Sequence, residues 1–346
     1  SFDDYVRMTS LLSGFGDPVT ATTNDLIDAL SIKNNLVSDE VSKLALGCAQ
    51  LGLDYGINNK YGQPNINDAH QMLSEAVHCG VQYLDTARAY GNSEEVIGRW
   101  LSTGWLTRVK LITKLDPMVD LDNNSCSQVV DLTVRQSVLK SLYNLSVEKL
   151  DVLMLHRSLH LTICNAQVLK TLLDIKSKGA IEKLAISIQS PQELELALKY
   201  KEISLIQLPF NILDSRWSSL IPKLIKAKQE RELTIHVRSV FLQGLLLTND
   251  IVTWSKIWGA KSQLIISWLE QQREIYQCEN VGVLAIKYVK SQPWVDALVL
   301  GADNLEQLHE NILNITTLPL SLDNLNSIDF SRPSSINEQL LNPALW

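Results

Sequence analysis

The chain places four side chains with useful chemistry at or just after the ends of short apolar runs, namely Asp85, Tyr90, Lys114 and His156. A carboxylate, a phenol, an ammonium and an imidazole are the groups that proton transfer to a reacting carbonyl requires. The carboxyl ends of parallel strands meet at one rim of a barrel, where residues distant in the chain can assemble. The sequence therefore predicts a proton-transfer site made of these four residues.

Each of the four groups has a distinct role in such a site. A ketone or aldehyde that accepts a hydride becomes an alkoxide and needs a proton, which a free tyrosine with a pKa of about 10 gives up reluctantly. An ammonium at Lys114 would stabilise the phenolate of Tyr90 and make the phenol a better general acid near neutral pH. Asp85 would keep the lysine charged and oriented, and His156 would hydrogen-bond the substrate oxygen.

Taken singly, these residues have less specific interpretations. A lone aspartate at a strand end is most often a turn or cap residue, and a lone histidine is most often an interior residue with satisfied hydrogen bonds. The combination with a tyrosine and a lysine at other strand ends favours the catalytic interpretation. His156 and His160 have a spacing compatible with a metal, but no carboxylate or cysteine completes a ligand set, so no metal site is predicted.

Composition indicates a globular protein without a strongly basic character. The chain has 346 residues, of which 45% are hydrophobic and 20% charged, and its formal net charge is −7. This length can form one large α/β barrel or two ordinary domains. The negative charge argues against nucleic acid or an anionic membrane as the main partner.

The sequence also predicts a cytoplasmic location. It shows no apolar stretch long enough to span a bilayer and no signal peptide at the N-terminus. Its five cysteines are scattered without a Cys-x-x-Cys pair, a pattern that fits reduced thiols better than a disulfide framework. A small-molecule carbonyl substrate is the expected partner, and the oligomeric state is left open.

From about residue 43 the sequence alternates short β-type runs with longer helical ones. Eight candidate strands, each followed by a helical stretch, predict a closed (β/α)8 TIM barrel. They span residues 43–48, 81–85, 109–114, 151–156, 183–188, 204–208, 234–238 and 297–301. The alternative, a doubly wound open sheet, would usually bring a glycine-rich turn after the first strand, and the sequence has none there.

Helix starts carry their own signals in the sequence. Asp68, Ser190 and Asn304 are each followed three residues later by a glutamine or a glutamate, which is the pattern of a capping box. We therefore expect these three residues to begin helices, with Pro191 at the first position of the second one.

Three segments lie outside the regular alternation of strands and helices. Residues 1–42 do not fit the barrel and are interpreted as an N-terminal extension or linker. The barrel is expected at 43–325, and a C-terminal tail is expected at 326–346. The stretch 240–277 is long for a βα connection, so it is predicted to act as a lid or to carry helices of its own.

Two adjacent segments resemble the signature of the aldo-keto reductase family. Residues 83–91 read Tyr-Leu-Asp-Thr-Ala-Arg-Ala-Tyr-Gly, and residues 93–98 read Ser-Glu-Glu-Val-Ile-Gly. Further landmarks similar to those of the family follow in the expected order, at 46–52, 150–157, 207–211, 238–246 and 301–311. The resemblance covers roughly residues 43–315. It implies a (β/α)8 barrel that binds NADPH in an extended pose without a Rossmann domain.

The resemblance also implies roles for individual positions. It makes Asp85, Tyr90, Lys114 and His156 the catalytic tetrad of an NAD(P)H-dependent reductase, with the hydride from the nicotinamide and the proton from Tyr90. It further implies cofactor binding by Ser187, Gln207, Arg238, Ser239, Gly244, Leu245, Gly301, Gln307 and Asn311. In this set the nicotinamide carboxamide would be held by Ser187 and Gln207, the pyrophosphate by Gly244 and Leu245, and the adenosine by Gln307 and Asn311.

The chain departs from the family pattern at three places. Ile188 stands where the family often has asparagine, and Arg238 stands where an aromatic residue often stacks on the nicotinamide. Arg238 could be an ion-pair partner in the barrel mouth or a clamp for a substrate anion. Asp303 and Gln307 stand where NADPH-specific members usually place basic residues, which leaves the preference open. NADP(H) is still expected over NAD(H), from the resemblance.

One loop of the sequence bears on the substrate of the predicted enzyme. Residues 53–59 resemble the first loop of a bacterial subgroup whose members often sit among functions in cell-surface sugar biosynthesis, which hints at a sugar or a sugar derivative. The predicted function is reduction of an aldehyde or ketone to an alcohol. Two alternatives stay open, a cofactor-binding regulatory subunit with little turnover and a sugar epimerase that retains its cofactor.

Overall fold

The structure, a computed structural model, describes residues 39–57, 59, 62–105, 108–334, 336, 341–342 and 346. The N-terminal extension expected at 1–42 lies almost wholly outside these residues. The division of the chain into extension, barrel and tail therefore stays a prediction.

Eight parallel strands form a closed barrel, in which each strand pairs with the next and β8 pairs with β1. This confirms the (β/α)8 barrel that the alternation of strands and helices predicted. The strands are β1 Leu44–Gly47, β2 Tyr83–Asp85, β3 Lys110–Lys114, β4 Leu150–Leu155, β5 Ile181–Ser187, β6 Ile203–Pro209, β7 Thr234–Arg238 and β8 Ala297–Gly301. The expected spans of β7 and β8 match these bounds, and the other six differ by one or two residues at one or both ends.

Helices follow the strands along the chain and pack against them. Because both faces of each strand are covered, a strand such as β4 is a nearly continuous apolar run. The α-helices span Ile66–His78, Ser93–Leu101, Ser127–Leu145, Ile163–Ser177, Pro191–Ala197, Ile221–Glu230, Ile251–Trp258, Ser262–Ile275, Val281–Lys290, Leu305–Ile315 and Leu322–Ser331. Short 3₁₀ helices span Ala49–Leu51, Ser158–Leu161, Leu242–Leu247 and Gly259–Lys261.

Two of the three predicted helix caps are confirmed, and one is wrong. Ser190 and Asn304 each accept a hydrogen bond from the backbone N–H three residues on, at 3.3 and 2.9 Å. The helix expected to begin at Asp68 begins earlier, because Asn65 is its cap and Asp68 lies in the first turn. Asn65 accepts from two backbone N–H groups there, whereas the carboxylate of Asp68 favours the positive end of the helix dipole.

The stretch at 240–277 carries helices of its own, which was one of the two alternatives predicted. The helices Ile251–Trp258 and Ser262–Ile275 bury three tryptophans in the core, so this segment is packed like the rest of the barrel. Among the described residues, no helix has the length and apolarity needed to cross a bilayer.

Side chains fill the interior of the barrel. An apolar cluster on the strands comprises Ile112, Val152, Met154, Ala185 and Leu205. A larger cluster joins the other strand residues to the helices. The interior cluster fills the barrel below the carboxyl ends of the strands, so polar groups are gathered at that rim.

Candidate active site

A buried ion pair joins the ends of β2 and β3. Lys114 Nζ lies 2.5 Å from Asp85 Oδ1, and the two side chains are only 2% and 3% exposed. The two strands are neighbours in the barrel, so the residues that end them meet at the same rim. Burial by itself would lower the pKa of Lys114, but Asp85 and then Tyr90 outweigh it and raise that pKa. Lys114 is therefore an ammonium at neutral pH.

Tyr90 lies beside this ammonium, in the turn that follows β2. Lys114 Nζ is 4.9 Å from the centroid of the Tyr90 ring. Two glycines let this turn pack closely against the loop that follows β1. A Cβ at Gly52 would overlap the Tyr90 carbonyl oxygen, and a Cβ at Gly91 would overlap the Gly52 oxygen. The close approach of the two backbones therefore helps to fix the position of the phenol.

His156 follows β4 directly and lines the same cavity as the other three residues. Burial, and then the positive charge of Lys114, lower the pKa of His156 from its usual 6.5 to about 4. The imidazole is therefore neutral at neutral pH and can donate a hydrogen bond from one ring nitrogen. This state suits a group that binds the oxygen of a neutral carbonyl compound.

Gln207, in β6, holds the second oxygen of the Asp85 carboxylate. Its Nε2 donates a 2.7 Å hydrogen bond to Asp85 Oδ2. Its Oε1 is buried and has no hydrogen-bond partner in the described part of the chain. A buried acceptor without a donor fits the N–H group of a bound amide, such as the nicotinamide carboxamide. Ser187, the register partner of Gln207 in β5, lies beside it in the cavity wall.

The tetrad lines one cavity of about 360 Å³. Seven of the nine predicted cofactor-binding positions also line it, namely Ser187, Gln207, Arg238, Ser239, Gly244, Gly301 and Gln307. The structure places the other two differently, with the Leu245 side chain in the core and Asn311 donating to the Gly301 carbonyl oxygen at 3.0 Å. The cofactor role of all nine positions stays a prediction.

Gln50 is a wall residue that the sequence analysis did not identify. It lies in the short helix after β1, at the same rim, and a Cβ at Gly301 would overlap its amide. Its polar side chain, three residues after the end of the first strand, is the signal that could have found it. Gln50 and Gln307 both hydrogen-bond the side chain of Asp303. Burial raises the pKa of Asp303 and outweighs these two hydrogen bonds, which lower it. Asp303 is thus an acidic group at the β8 end of the cavity.

His160 is engaged with the backbone, although its spacing from His156 is compatible with a metal. Its Nε2 contacts the Pro117 carbonyl oxygen at 3.1 Å, and burial lowers its pKa to about 4. Within the described ranges, no group of three or more His, Cys, Asp or Glu side chains could hold a metal ion.

Comparison with known proteins identifies the class of enzyme. The model of the Aldo/keto reductase family matches residues 43–332, and the chain therefore belongs to this family. The uncharacterized oxidoreductase YqkF of Bacillus subtilis is 26% identical over 286 residues, which cover 79% of this chain and 87% of that protein. The NADH-specific methylglyoxal reductase of Escherichia coli is 27% identical over 270 residues, which cover 70% of this chain and 82% of that protein.

Solved structures share the fold. The holo form of the aldo-keto reductase AKR11C1 from Bacillus halodurans has a TM-score of 0.69 and 20% identity, and the match covers 87% of this chain and 95% of that chain. At this identity the likeness concerns the fold alone. Membership in the family makes the protein an NAD(P)H-dependent oxidoreductase that reduces a carbonyl group of a small molecule.

Proposed function

We propose that this enzyme reduces an aldehyde or ketone with Tyr90 as the proton donor. The observation that carries the proposal is the position of Lys114, whose Nζ is 4.9 Å from the Tyr90 ring centroid and 2.5 Å from Asp85 Oδ1. An ammonium beside a phenol stabilises the phenolate that remains after proton transfer. The family resemblance supports the same assignment.

The reaction then divides between the cofactor and the protein. The bound nicotinamide would supply the hydride to the carbonyl carbon. Tyr90 gives its hydroxyl proton to the carbonyl oxygen, so the product is an alcohol. Lys114 stabilises the resulting phenolate until Tyr90 takes a proton from solvent. Asp85 holds Lys114 in place, and Gln207 fixes the second carboxylate oxygen at 2.7 Å.

His156 would orient the carbonyl group for both transfers. Its imidazole is neutral at neutral pH, because burial and the charge of Lys114 lower its pKa to about 4. A neutral ring has one N–H, and in the tautomer that turns it toward the cavity it donates to the same oxygen that receives the proton from Tyr90. Two donors aimed at one oxygen stabilise the negative charge that develops on it in the transition state.

The residues around Gln207 fit the cofactor. We propose that Ser187 and Gln207 bind the nicotinamide carboxamide, and the unpartnered Oε1 of Gln207 supports this. The further positions carried over from the family, Ser239, Gly244, Leu245, Gly301, Gln307 and Asn311, are proposed to bind the rest of the cofactor. Arg238 was carried over with them, at the position where the family often stacks an aromatic residue on the nicotinamide.

The preference for NADP(H) over NAD(H) rests on the resemblance, and we propose that it is weak. In the described part of the cavity wall, the Lys and Arg residues are Lys114 and Arg238, whereas the β8 end carries Asp303. A hydrogen bond to a charged group contributes about 1.5–3 kcal/mol. A 2′-phosphate near Asp303 would make no charge-assisted hydrogen bond to Lys114 or Arg238. The name of the NADH-specific relative from Escherichia coli supports the proposal.

The substrate is proposed to be a small polar aldehyde or ketone, with sugars and sugar derivatives included. The Escherichia coli relative is named for methylglyoxal, a small aldehyde. The resemblance of residues 53–59 to a subgroup found among surface-sugar functions supports a sugar. Polar side chains such as Gln50 and Gln189 in the cavity wall would suit the hydroxyl groups of such a compound.

A screen of the purified chain tests the proposed function. NADPH and NADH are each offered with methylglyoxal, aldoses and keto-sugars, and consumption of reduced cofactor is followed. We expect an alcohol product, and deuterium from labelled cofactor should enter it. Tight cofactor binding without turnover would instead indicate the regulatory subunit, and an unlabelled isomer of a sugar would indicate the epimerase.

We also propose a cytoplasmic location and no nucleic-acid partner. All five cysteines are free thiols, which suits a reducing compartment. The net charge of −7 disfavours binding to a polyanion. Fractionation of cells that produce the protein would test the location, and an unchanged mobility of labelled DNA and RNA is expected.

A further inference from the structure

Arg238 ends β7, and it lines the catalytic cavity. It donates hydrogen bonds to the Ile188 carbonyl oxygen at 3.2 Å and to Ser239 Oγ at 3.3 Å. A guanidinium carries more N–H donors than these two bonds use. Across the residues that the structure describes, Arg238 has no further acceptor, so its remaining donors are available to a ligand.

The carboxylates whose negative charge raises the pKa of Arg238 are Asp85 and Glu193. Both already bind other groups. Asp85 is held at both oxygens by the ion pair and the hydrogen bond described above. Glu193 accepts from Ser158 Oγ at 2.8 Å and from the Gln189 backbone N–H at 2.5 Å. No carboxylate of the described residues is within ion-pair distance of Arg238. The structure therefore does not support the ion-pair interpretation of this residue.

A cation left without a counter-ion in this wall is costly until a ligand neutralises it. Burial lowers the pKa of Arg238, yet a guanidinium stays protonated in proteins. Lys114, the other cation of the described wall, is already neutralised by Asp85. A guanidinium binds carboxylate and phosphate groups through paired, charge-assisted hydrogen bonds. Arg238 is thus suited to receive an anion.

We propose that Arg238 binds an anionic group of the substrate, so that the enzyme prefers carbonyl compounds that carry a carboxylate or a phosphate. The proposal rests on the proposed function, because it assigns a substrate class to the same site. Its geometric support is the register of β6 and β7, in which Arg238 stands opposite Pro209, two residues beyond Gln207. The arginine therefore stands nearer the open rim than the hydrogen bond between Gln207 and Asp85.

The pyrophosphate of the cofactor is the other anion that could reach Arg238. The two sources can be distinguished, because the pyrophosphate is present in every turnover. A substrate anion is present only when the substrate itself carries a charge. An arginine that serves the substrate affects charged and neutral substrates differently. An arginine that serves the cofactor affects both equally and also changes the affinity for NADH without substrate.

The experiment compares kcat/KM within two pairs of aldehydes that differ mainly in charge. The pairs are 4-oxobutanoate with butanal, and glyceraldehyde 3-phosphate with glyceraldehyde. Arg238→Met removes the charge and keeps an unbranched side chain, whereas Arg238→Lys keeps a charge without the planar fork. Arg99→Met is the control, because Arg99 is exposed on the helix Ser93–Leu101 and the net charge changes equally.

We expect the wild-type enzyme to prefer the anionic member of at least one pair, and the pair identifies carboxylate or phosphate. Arg238→Met should lower the anionic-to-neutral ratio of kcat/KM by about 10- to 100-fold, the size of one charge-assisted contact. Arg238→Lys should restore part of the ratio, and Arg99→Met should leave it unchanged. An unchanged ratio in Arg238→Met would overturn the proposal. Equal losses for both members, with weaker NADH binding, would overturn it in favour of the pyrophosphate.

A binding measurement decides the proposal even if no carbonyl compound is turned over. In that case the proposed function fails, while Arg238 can still be tested with 4-hydroxybutanoate and NADH, which form a dead-end complex. Calorimetric titration should show weaker binding of 4-hydroxybutanoate to Arg238→Met than to the wild type. Equal binding of 4-hydroxybutanoate by the two proteins would contradict the substrate-anion role. The role would also be contradicted if the wild type bound neither 4-hydroxybutanoate nor inorganic phosphate.

Discussion

Gln207 and Asp85 stand 122 positions apart in the chain and are joined by a 2.7 Å hydrogen bond between Gln207 Nε2 and Asp85 Oδ2. Asp85 Oδ1 is paired with Lys114 at 2.5 Å, so both oxygens of the carboxylate are held. A carboxylate fixed at both oxygens rotates little and keeps the ammonium beside Tyr90. The position of the proposed proton donor therefore depends on β6 as well as on β2 and β3.

Replacing Gln207 with leucine is expected to lower stability. The change leaves Asp85 Oδ2 buried without its donor, which costs about 1–3 kcal/mol in the free energy of unfolding. Urea unfolding measures this cost. Gln189→Leu is the matched control, because Gln189 lies in the same cavity wall but is exposed. Equal unfolding free energies for Gln207→Leu and the wild type would show that the hydrogen bond contributes little.

Removing the charge of Lys114 is expected to cost more. Lys114→Met leaves the carboxylate of Asp85 buried and unpaired, a loss of about 3–5 kcal/mol in the free energy of unfolding. The double variant that adds Asp85→Asn should lose less than the sum of the two single variants, because the two charges interact directly. Strictly additive losses in urea unfolding would speak against the ion pair.

His156 is expected to titrate with a midpoint near pH 4 and to stay neutral through the physiological range. Burial and then Lys114 lower its pKa from 6.5 to about 4. The folded state therefore disfavours the protonated ring, so the stability from this group is present above pH 6.5 and is lost as the pH falls through about 4. NMR titration of the ring signals, assigned with His156→Asn, gives the midpoint. A midpoint near 6.5 would rule out the depressed pKa on which the orienting role depends.

Asp303 is expected to limit the preference for NADPH. The wild-type dissociation constants for NADPH and NADH should differ by less than about tenfold, because no charge-assisted contact to the 2′-phosphate is proposed. Asp303→Asn removes a negative charge and should shift binding toward NADPH. Glu306→Gln, at an exposed carboxylate in the first turn of the helix Leu305–Ile315, controls for the change in net charge. A large wild-type preference for NADPH that Asp303→Asn leaves unchanged would contradict this expectation.

The barrel and the tetrad could be predicted from the sequence because each depends on local pattern. Strands buried on both faces are continuous apolar runs, and Asp85, Lys114 and His156 each stand at or just after the end of one. Parallel pairing then brings these ends to one rim, whatever the distance along the chain. The chemistry of the four groups and the geometry of the barrel agree, which is why the sequence pattern was informative.

Contacts that depend on closure of the barrel could not be predicted. The hydrogen bond from Gln207 to Asp85 requires β6 to face β2 across the rim, and no local pattern encodes that distance. The covering of Gly301 by Gln50 depends in the same way on the pairing of β8 with β1. The cap at Asn65 was missed because Asp68 offered a capping-box pattern. The helix begins earlier than that pattern predicted, because the side chain of Asn65 accepts hydrogen bonds from the backbone N–H groups of Asn67 and Asp68.

The most direct test of the account is the rate of carbonyl reduction by Tyr90→Phe, measured together with its affinity for reduced cofactor. Phenylalanine keeps the ring beside Lys114 and removes the proton that the mechanism transfers. We expect kcat/KM to fall by about 10²- to 10⁴-fold, because a general acid contributes a factor of this size to the rate. The affinity for NADPH and NADH should stay close to that of the wild type. Wild-type turnover in this variant would contradict the assignment of Tyr90 as the proton donor.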